Sequence, residues 1–296
     1  MSEPRSVVIT GASRGLGFAS ATLLYQRGWR VVAAMRTPDE GIVRLREASG
    51  AGDDDRLIPV PLDLTDSASI TAAAKTIEEV VGAPYALVHN AGISAAGMAE
   101  EIPMSLWERM FQTTVFGPVA LTNALLPSMR DAGRGRILMV SSAGGVRGMP
   151  ATAAYSAAKG ALERWAESLA GEIAPFGLGV TVLVTGTYDT DIITDAGTTD
   201  CRDFNGPYSR HHATMDRRGR FAIKIAARSP QRFAAGLAKA LDGTKPFARR
   251  AVGPDARMVL VMSRILPAVA LHNGTRLIMG LPRFGGLRPQ EDDNHE

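Results

Sequence analysis

Ser6-Val7-Val8-Ile9-Thr10-Gly11-Ala12-Ser13-Arg14-Gly15-Leu16-Gly17 opens with a short apolar run and passes at once into a glycine-rich turn. Gly11 allows a tight turn, Gly15 lets backbone N–H groups approach a pyrophosphate, and Gly17 permits close packing of a helix on a strand. The spacing G-x-x-x-G-x-G is a variant of the commoner dinucleotide fingerprint. Its weight comes from the strand that precedes it and the helix that it opens. Gly11, Ser13, Arg14, Gly15, Leu16 and Gly17 are therefore candidate cofactor contacts.

Downstream, the same kind of apolar run recurs at Trp29 to Met35, Arg56 to Leu62, Tyr85 to His89, Arg136 to Ser141 and Gly179 to Val184. These runs lack the alternation of a half-wet strand, so they read as strands buried on both faces. Segments with helical spacing lie between them, including Ser67 to Val81, Ser105 to Met129 and Tyr155 to Ala174. A β-α-β-α order predicts an α/β fold, a doubly wound parallel sheet with helices on both faces. No linker divides the chain, which is expected to form one domain over 1–288. Residues 186–230 are polar and charged, with scattered Ile192, Ile193, Phe204 and Tyr208, and read as a substrate loop or lid. Residues 255–288 read as a C-terminal extension, and 289–296 as an acidic, disordered tail.

The 296 residues are 45% hydrophobic and 21% charged, which excludes a chain disordered throughout. The single cysteine, Cys201, cannot form an internal disulfide, and no cysteine cluster offers a metal site, so a reducing cytoplasm is expected. The apolar stretch at the N-terminus is too short for a signal peptide, and no run of about 18 apolar residues predicts a spanning helix. The net charge of +3 conceals an asymmetry: residues 202–288 hold 17 Lys or Arg against 4 Asp. So basic a block steers acidic partners. An anionic membrane surface, a phosphorylated or acyl-carrier-linked substrate and an acidic face of a second copy all qualify, beside a merely solvated surface. No nucleic-acid partner is expected.

The end of the second run chooses between the nicotinamide cofactors. An NAD site places Asp or Glu there for the ribose hydroxyls, whereas this chain reads Ala33-Ala34-Met35-Arg36. Arg36, with Arg14, can fork onto a 2′-phosphate instead, favouring NADP(H) over NAD(H). Farther on, Tyr155 and Lys159 stand four apart in a helical segment and so share a face. A phenol with an ordinary pKa of about 10 is a poor base at neutral pH, and a nearby ammonium favours its ionised form. Ser142, at the carboxyl end of the fifth run, faces the crevice where ligands bind and can polarise a substrate oxygen. A helix cap or turn is the local alternative for that serine.

Thr10-Gly11-x-x-x-Gly15-x-Gly17, Asn90-Ala91-Gly92, Ser142 and Tyr155-x-x-x-Lys159 together resemble the short-chain dehydrogenase/reductase family, in order and spacing, from about Val7 to Thr190. The resemblance implies a Rossmann-type sheet of about seven strands, with Arg249 to Gly253 as the seventh. It implies NAD(P)-dependent interconversion of a carbonyl and an alcohol, with Tyr155 as acid/base and Lys159 also on the nicotinamide ribose. It further assigns Asp63 and Leu64 to the adenine, Asn90 to the cofactor floor, and Gly186 and Thr190 to the nicotinamide end and the phosphates. Asp63 has a competing local role, turning the chain ahead of the next helix. A homodimer or homotetramer paired through the helices carrying Phe111 and Tyr155 is implied too, as is reduction as the working direction.

Two positions depart from the family pattern. Thr114 stands where the family places an Asn that supports a proton relay, and Thr185 replaces a Pro, a change expected to loosen the loop that follows. They motivate a second reading, an NADP(H)-binding sensor or scaffold without turnover. A sugar-nucleotide epimerase is disfavoured, because such relatives carry G-x-x-G-x-x-G. Residues 257–284 mix apolar clusters with Arg and admit three readings: a core helix with subunit contact, a lid over a pocket for a bulky apolar substrate, or an element lying on anionic lipid.

Overall fold

The computed structural model describes residues 4–52, 54–190 and 198–286. Its strands are β1 (Ser6–Thr10), β2 (Arg30–Met35), β3 (Leu57–Pro61), β4 (Ala86–His89), β5 (Ser94–Ala96), β6 (Gly135–Ser142), β7 (Leu178–Thr185), β8 (Thr198–Asp200) and β9 (Phe247–Val252). Seven of them form one sheet in the order β3-β2-β1-β4-β6-β7-β9. Every pair in it is parallel.

Alternation along each strand explains why the runs read as continuous rather than amphipathic. Val7 and Ile9 of β1, with Val31 and Ala33 of β2, point to one core. Val8, Val32 and Ala34 point to the other. The first core is closed by α1 (Gly15–Gln26), α2 (Pro38–Ser49) and α9 (Pro230–Leu241), through Leu24, Leu45 and Phe233. The opposite core is closed by α3 (Ser67–Val81), α5 (Gly117–Asp131) and α7 (Ala153–Ile173), through Ile77, Leu125 and Leu162. Strand order reverses between β1 and β4, so their carboxyl ends flank a crevice at the switch point, where α/β sheets bind ligands.

The stretch read as one helix from Ser105 to Met129 is two. A π turn at Gln112–Phe116 joins α4 (Met104–Phe111) to α5, and it carries Thr114. Such turns occur frequently at functional sites. The segment read as a loop is also structured: it holds β8, paired with β5, and the 18-residue α8 (Ser209–Ala226). A polar sequence hid this helix because long-range polar contacts anchor it. Buried His212 shares a hydrogen bond of 2.7 Å with Glu101, and Arg202 clamps Asp200 and Asp216. Ile192 and Ile193 lie outside the described residues, as does the acidic tail.

After β9 come α10 (Pro254–Ile265) and α11 (Ala268–Met279). Only Ala256 and Leu260 of α10 are buried, and no residue of α11 is. Ala256 and Leu260 join the core beneath α7, while most other apolar residues of the two helices face outward. Earlier in the chain, α6 (Ala143–Val146) is a single turn between β6 and α7. Among the described residues, no helix is long and apolar enough to cross a membrane.

Phe233 is fully buried and meets Tyr188 edge-on at 5.7 Å. Phe233→Ala should lower unfolding stability by about 3–5 kcal/mol, read from the urea midpoint.

Candidate active site

A cleft of about 670 Å³ opens at the carboxyl edge of the sheet. Gly11, Ser13, Arg14, Gly15, Leu16, Arg36, Asp63, Leu64, Asn90, Ser142, Tyr155, Lys159, Gly186 and Thr190 all line it. Gly17 and Thr114 do not.

The glycine turn is built as its sequence requires. Gly11 and Gly15 have φ of +68° and +57°, in the left-handed region that favours glycine. A Cβ on Gly17 would overlap the Gly11 carbonyl oxygen and crowd the Asn90 amide at 2.5 Å, so Gly17 brings α1 against the turn itself. The Asn90 amide donates to the carbonyls of Thr10 and Gly11, at 2.9 and 3.2 Å. The Thr10 hydroxyl in turn accepts the N–H groups of Asn90 and Ala91. Together they tie β1 to β4 at the switch point. Helix α1 has no side-chain cap and no acidic residue in its first turn. Its first N–H groups thus have no intrahelical acceptor, and the positive end of the helix faces the cleft. That arrangement fits an anionic diphosphate.

At the adenine end, Asp63 accepts from the Thr65 N–H and hydroxyl, at 2.9 and 2.7 Å. These bonds hold its carboxyl below the ordinary value, and the nearby Arg36 guanidinium adds to the effect. The local turning role expected of Asp63 is present alongside its place in the cleft. Asp66, not Asp63, caps α3, accepting from the Ala68 N–H at 2.9 Å.

The reactive end rests on α7. Lys159 is 5% exposed, and its ammonium donates to the Val140 carbonyl at 2.7 Å while lying 5.8 Å from the Tyr155 ring centroid. Burial pushes the Lys159 pKa down to about 8. Tyr155 is partly exposed at the cleft, yet burial around its phenol pushes its pKa up, against the pull of the Ser142 hydroxyl beside it. The expectation that the ammonium makes this phenol more acidic is thus not met in the protein alone, because desolvation dominates. Ser142 also caps α6, accepting the Gly144 N–H at 3.2 Å, so the local alternative is present while the residue lines the cleft.

Thr114 is buried in the π turn, while Thr113 and Arg109 from the same stretch reach the cleft. The Thr185 hydroxyl donates to the Ser141 carbonyl at 2.7 Å, and the Gly186 N–H pairs with the Val252 carbonyl, so the end of β7 is bonded on both sides. Asp255 packs against Gly186, where a Cβ would overlap its carboxylate, and accepts the Thr187 N–H at 2.6 Å.

Sequence reasoning missed Glu163. It is 1% exposed, accepts from the Ser141 hydroxyl at 2.5 Å and pairs with Arg249 of β9. Its signal was present, since Tyr155, Lys159 and Glu163 repeat at four-residue spacing and face the sheet. Ile93, Met149, Pro150, Ile223 and Met279 add apolar walls, and no local pattern pointed to them. Among the described residues, no cluster of His, Cys, Asp and Glu could hold a metal ion.

Residues 5–200 match the family model for short chain dehydrogenase. The chain is 37% identical to the "Uncharacterized oxidoreductase YusZ" of Bacillus subtilis over 62% of its own length and 65% of that protein's. It is 31% identical to a 3-ketodihydrosphingosine reductase of Bacteroides thetaiotaomicron, over 88% of this chain and 93% of that one. Among solved structures, a short-chain dehydrogenase from Streptomyces avermitilis superposes with a TM-score of 0.79 at 31% identity, covering 95% and 98% of the two chains.

A buried lysine with a lowered pKa binds fewer protons folded than unfolded, between about pH 8 and its ordinary 10.5. Wild type should therefore gain stability relative to Lys159→Met as pH rises through that window. Denaturant melts at a series of pH values check this; parallel curves for the two proteins would contradict it.

Proposed function

Because this chain belongs to the short-chain dehydrogenase/reductase family, we propose that it is an NADP(H)-dependent oxidoreductase interconverting a carbonyl and a secondary alcohol on a bulky apolar substrate. The observation that carries this reading is the meeting of Ser142, Tyr155 and Lys159 in one cleft with the glycine turn. When bound, the dinucleotide supplies two-electron redox chemistry. Gly11, Ser13, Gly15, Leu16 and Gly17 form the turn that receives its diphosphate, with Asn90 as the floor. Arg14 and Arg36 take the 2′-phosphate, Asp63 and Leu64 border the adenine, and Gly186 and Thr190 border the nicotinamide end. Arg36, where an NAD site would place a carboxylate at the end of β2, supports NADP(H) over NAD(H).

Ser142 hydrogen-bonds the carbonyl oxygen of the substrate and polarises it. Tyr155, a phenol protonated at neutral pH, gives its proton to that oxygen as the alcohol forms. The Lys159 ammonium beside the ring stabilises the phenolate left behind and holds the nicotinamide ribose. Thr114 is assigned no step. Ile93, Met149, Ile223 and Met279 support an apolar substrate, and the likeness to a protein named 3-ketodihydrosphingosine reductase supports a ketone.

Tyr155→Phe should abolish turnover in a ketone and alcohol screen while NADPH binding, followed by nucleotide fluorescence, stays near wild type. A mutant as active as wild type would refute the role of Tyr155. No turnover of any carbonyl by wild type, despite tight NADPH binding, would favour a sensor or scaffold. In the same titration Arg36→Ala should weaken NADPH at least tenfold more than NADH, on the order of one charge-assisted hydrogen bond. Equal weakening would remove Arg36 from the 2′-phosphate.

A further inference from the structure

Three helices beyond the sheet expose apolar side chains that no described part of the chain covers. On α10, Met258, Val261 and Ile265 form one outward stripe, since spacings of three and four residues share a helix face. On α11, Val269 and Ile278 are 71% and 72% exposed. On α8, Phe221 and Ile225 are one turn apart and also exposed. Arg218 of α8 donates to the Leu277 and Ile278 carbonyls, at 2.5 and 3.0 Å. It thereby brings Phe221, one turn on, to the end of α11 that carries Leu277 and Ile278. Scattered apolar surface residues need no explanation, but a continuous group on adjoining helices marks a contact surface.

Charge selects the occupant. Residues 209–226 and 254–286, which contain these helices, hold nine Lys or Arg against two Asp. Exposed Arg257 and Arg264, seven apart, run along one side of the α10 stripe. Exposed Arg217 and Lys224 flank Phe221 on α8. The two acids are engaged elsewhere: Asp216 pairs with Arg202 and Arg220, and Asp255 accepts the Thr187 N–H. A two-fold dimer through this face would set the same cationic patch against itself, with a like-charge penalty. Apolar side chains rimmed by Arg and Lys suit an interface that is apolar inside and anionic outside.

We propose that α8, α10 and α11 dock the protein on the surface of an anionic lipid bilayer, with Phe221, Ile225, Leu277 and Ile278 entering the acyl boundary. Ile223 and Met279, on other faces of the same helices, line the cleft.

Flotation of the full chain with vesicles tests this, using phosphatidylcholine alone or mixed with phosphatidylglycerol, at low and high salt. Wild type should float with the mixed vesicles at low salt and release at high salt, as screened attraction requires. The double variants Phe221→Asp/Ile225→Asp and Leu277→Asp/Ile278→Asp should each lose at least about tenfold in binding. Arg257→Gln/Arg264→Gln should lose about fivefold for each charge removed. All of these residues are exposed, so thermal midpoints and NADPH binding should stay at wild-type values and exclude misfolding. Absence of wild-type binding to the mixed vesicles, or equal binding by every variant, overturns the proposal. So does sedimentation showing a wild-type dimer that the apolar variants split, because the face would then belong to a second copy.

Discussion

A charged ammonium removed from water must find acceptors, and the one that Lys159 finds is the carbonyl of Val140, at the end of the central strand β6. That bond ties α7 to the sheet, alongside the packing of Leu162, Ala166 and Leu169 in the core. One turn earlier on the same face stands Tyr155, and two residues beyond Val140 stands Ser142, so the two hydroxyls meet at the sheet edge. Glu163 repeats the device one turn farther into the protein, where it joins Ser141 of β6 to Arg249 of β9. A buried ion pair of this kind contributes little net stability once desolvation is counted, but it is costly to break on one side. Three evenly spaced polar residues on one helix therefore act as pegs that fix the register of the reactive face.

The other half of the cleft depends on hydrogen bonds rather than charge. Thr10 and Asn90 join two strands that have no connection close in sequence, and they do so where the chain changes direction across the sheet. Gly17 adds a steric condition, since any side chain there would displace the amide of Asn90. The glycine turn and the Asn90 strand end are thus one structure assembled from residues eighty apart. The Gly11 and Ala12 N–H groups are held by the Ala34 carbonyl of β2, which ties a third strand to the turn.

Much of this was legible from local sequence, for physical reasons that particular residues illustrate. Val7 to Ile9 are buried on both faces, so their uniform hydrophobicity announced a parallel sheet without any partner being known. Tyr155 and Lys159 were legible because four residues make one helical turn, and the glycines because only glycine fits their backbone angles. Less was legible where tertiary contacts decide. Helix α8 is polar overall, and it is anchored by His212 on Glu101, more than a hundred residues away. The raised pKa of Tyr155 was hidden too, because desolvation is a property of the packed neighbourhood and not of a spacing.

The π turn between α4 and α5 carries a consequence for how this chain can vary. Its wider winding holds one more residue than an ordinary turn, and it keeps Leu106 and Met110 on one neighbour while Leu121 and Leu125 reach the main sheet. Deleting any one residue there would rotate everything downstream by about 100° about the helix axis. Insertions and deletions should accumulate in the connections on the amino edge of the sheet, such as the one before β3, and be purged from Gln112 to Phe116. Length itself, more than the identity of any side chain, is what descent must preserve in that segment.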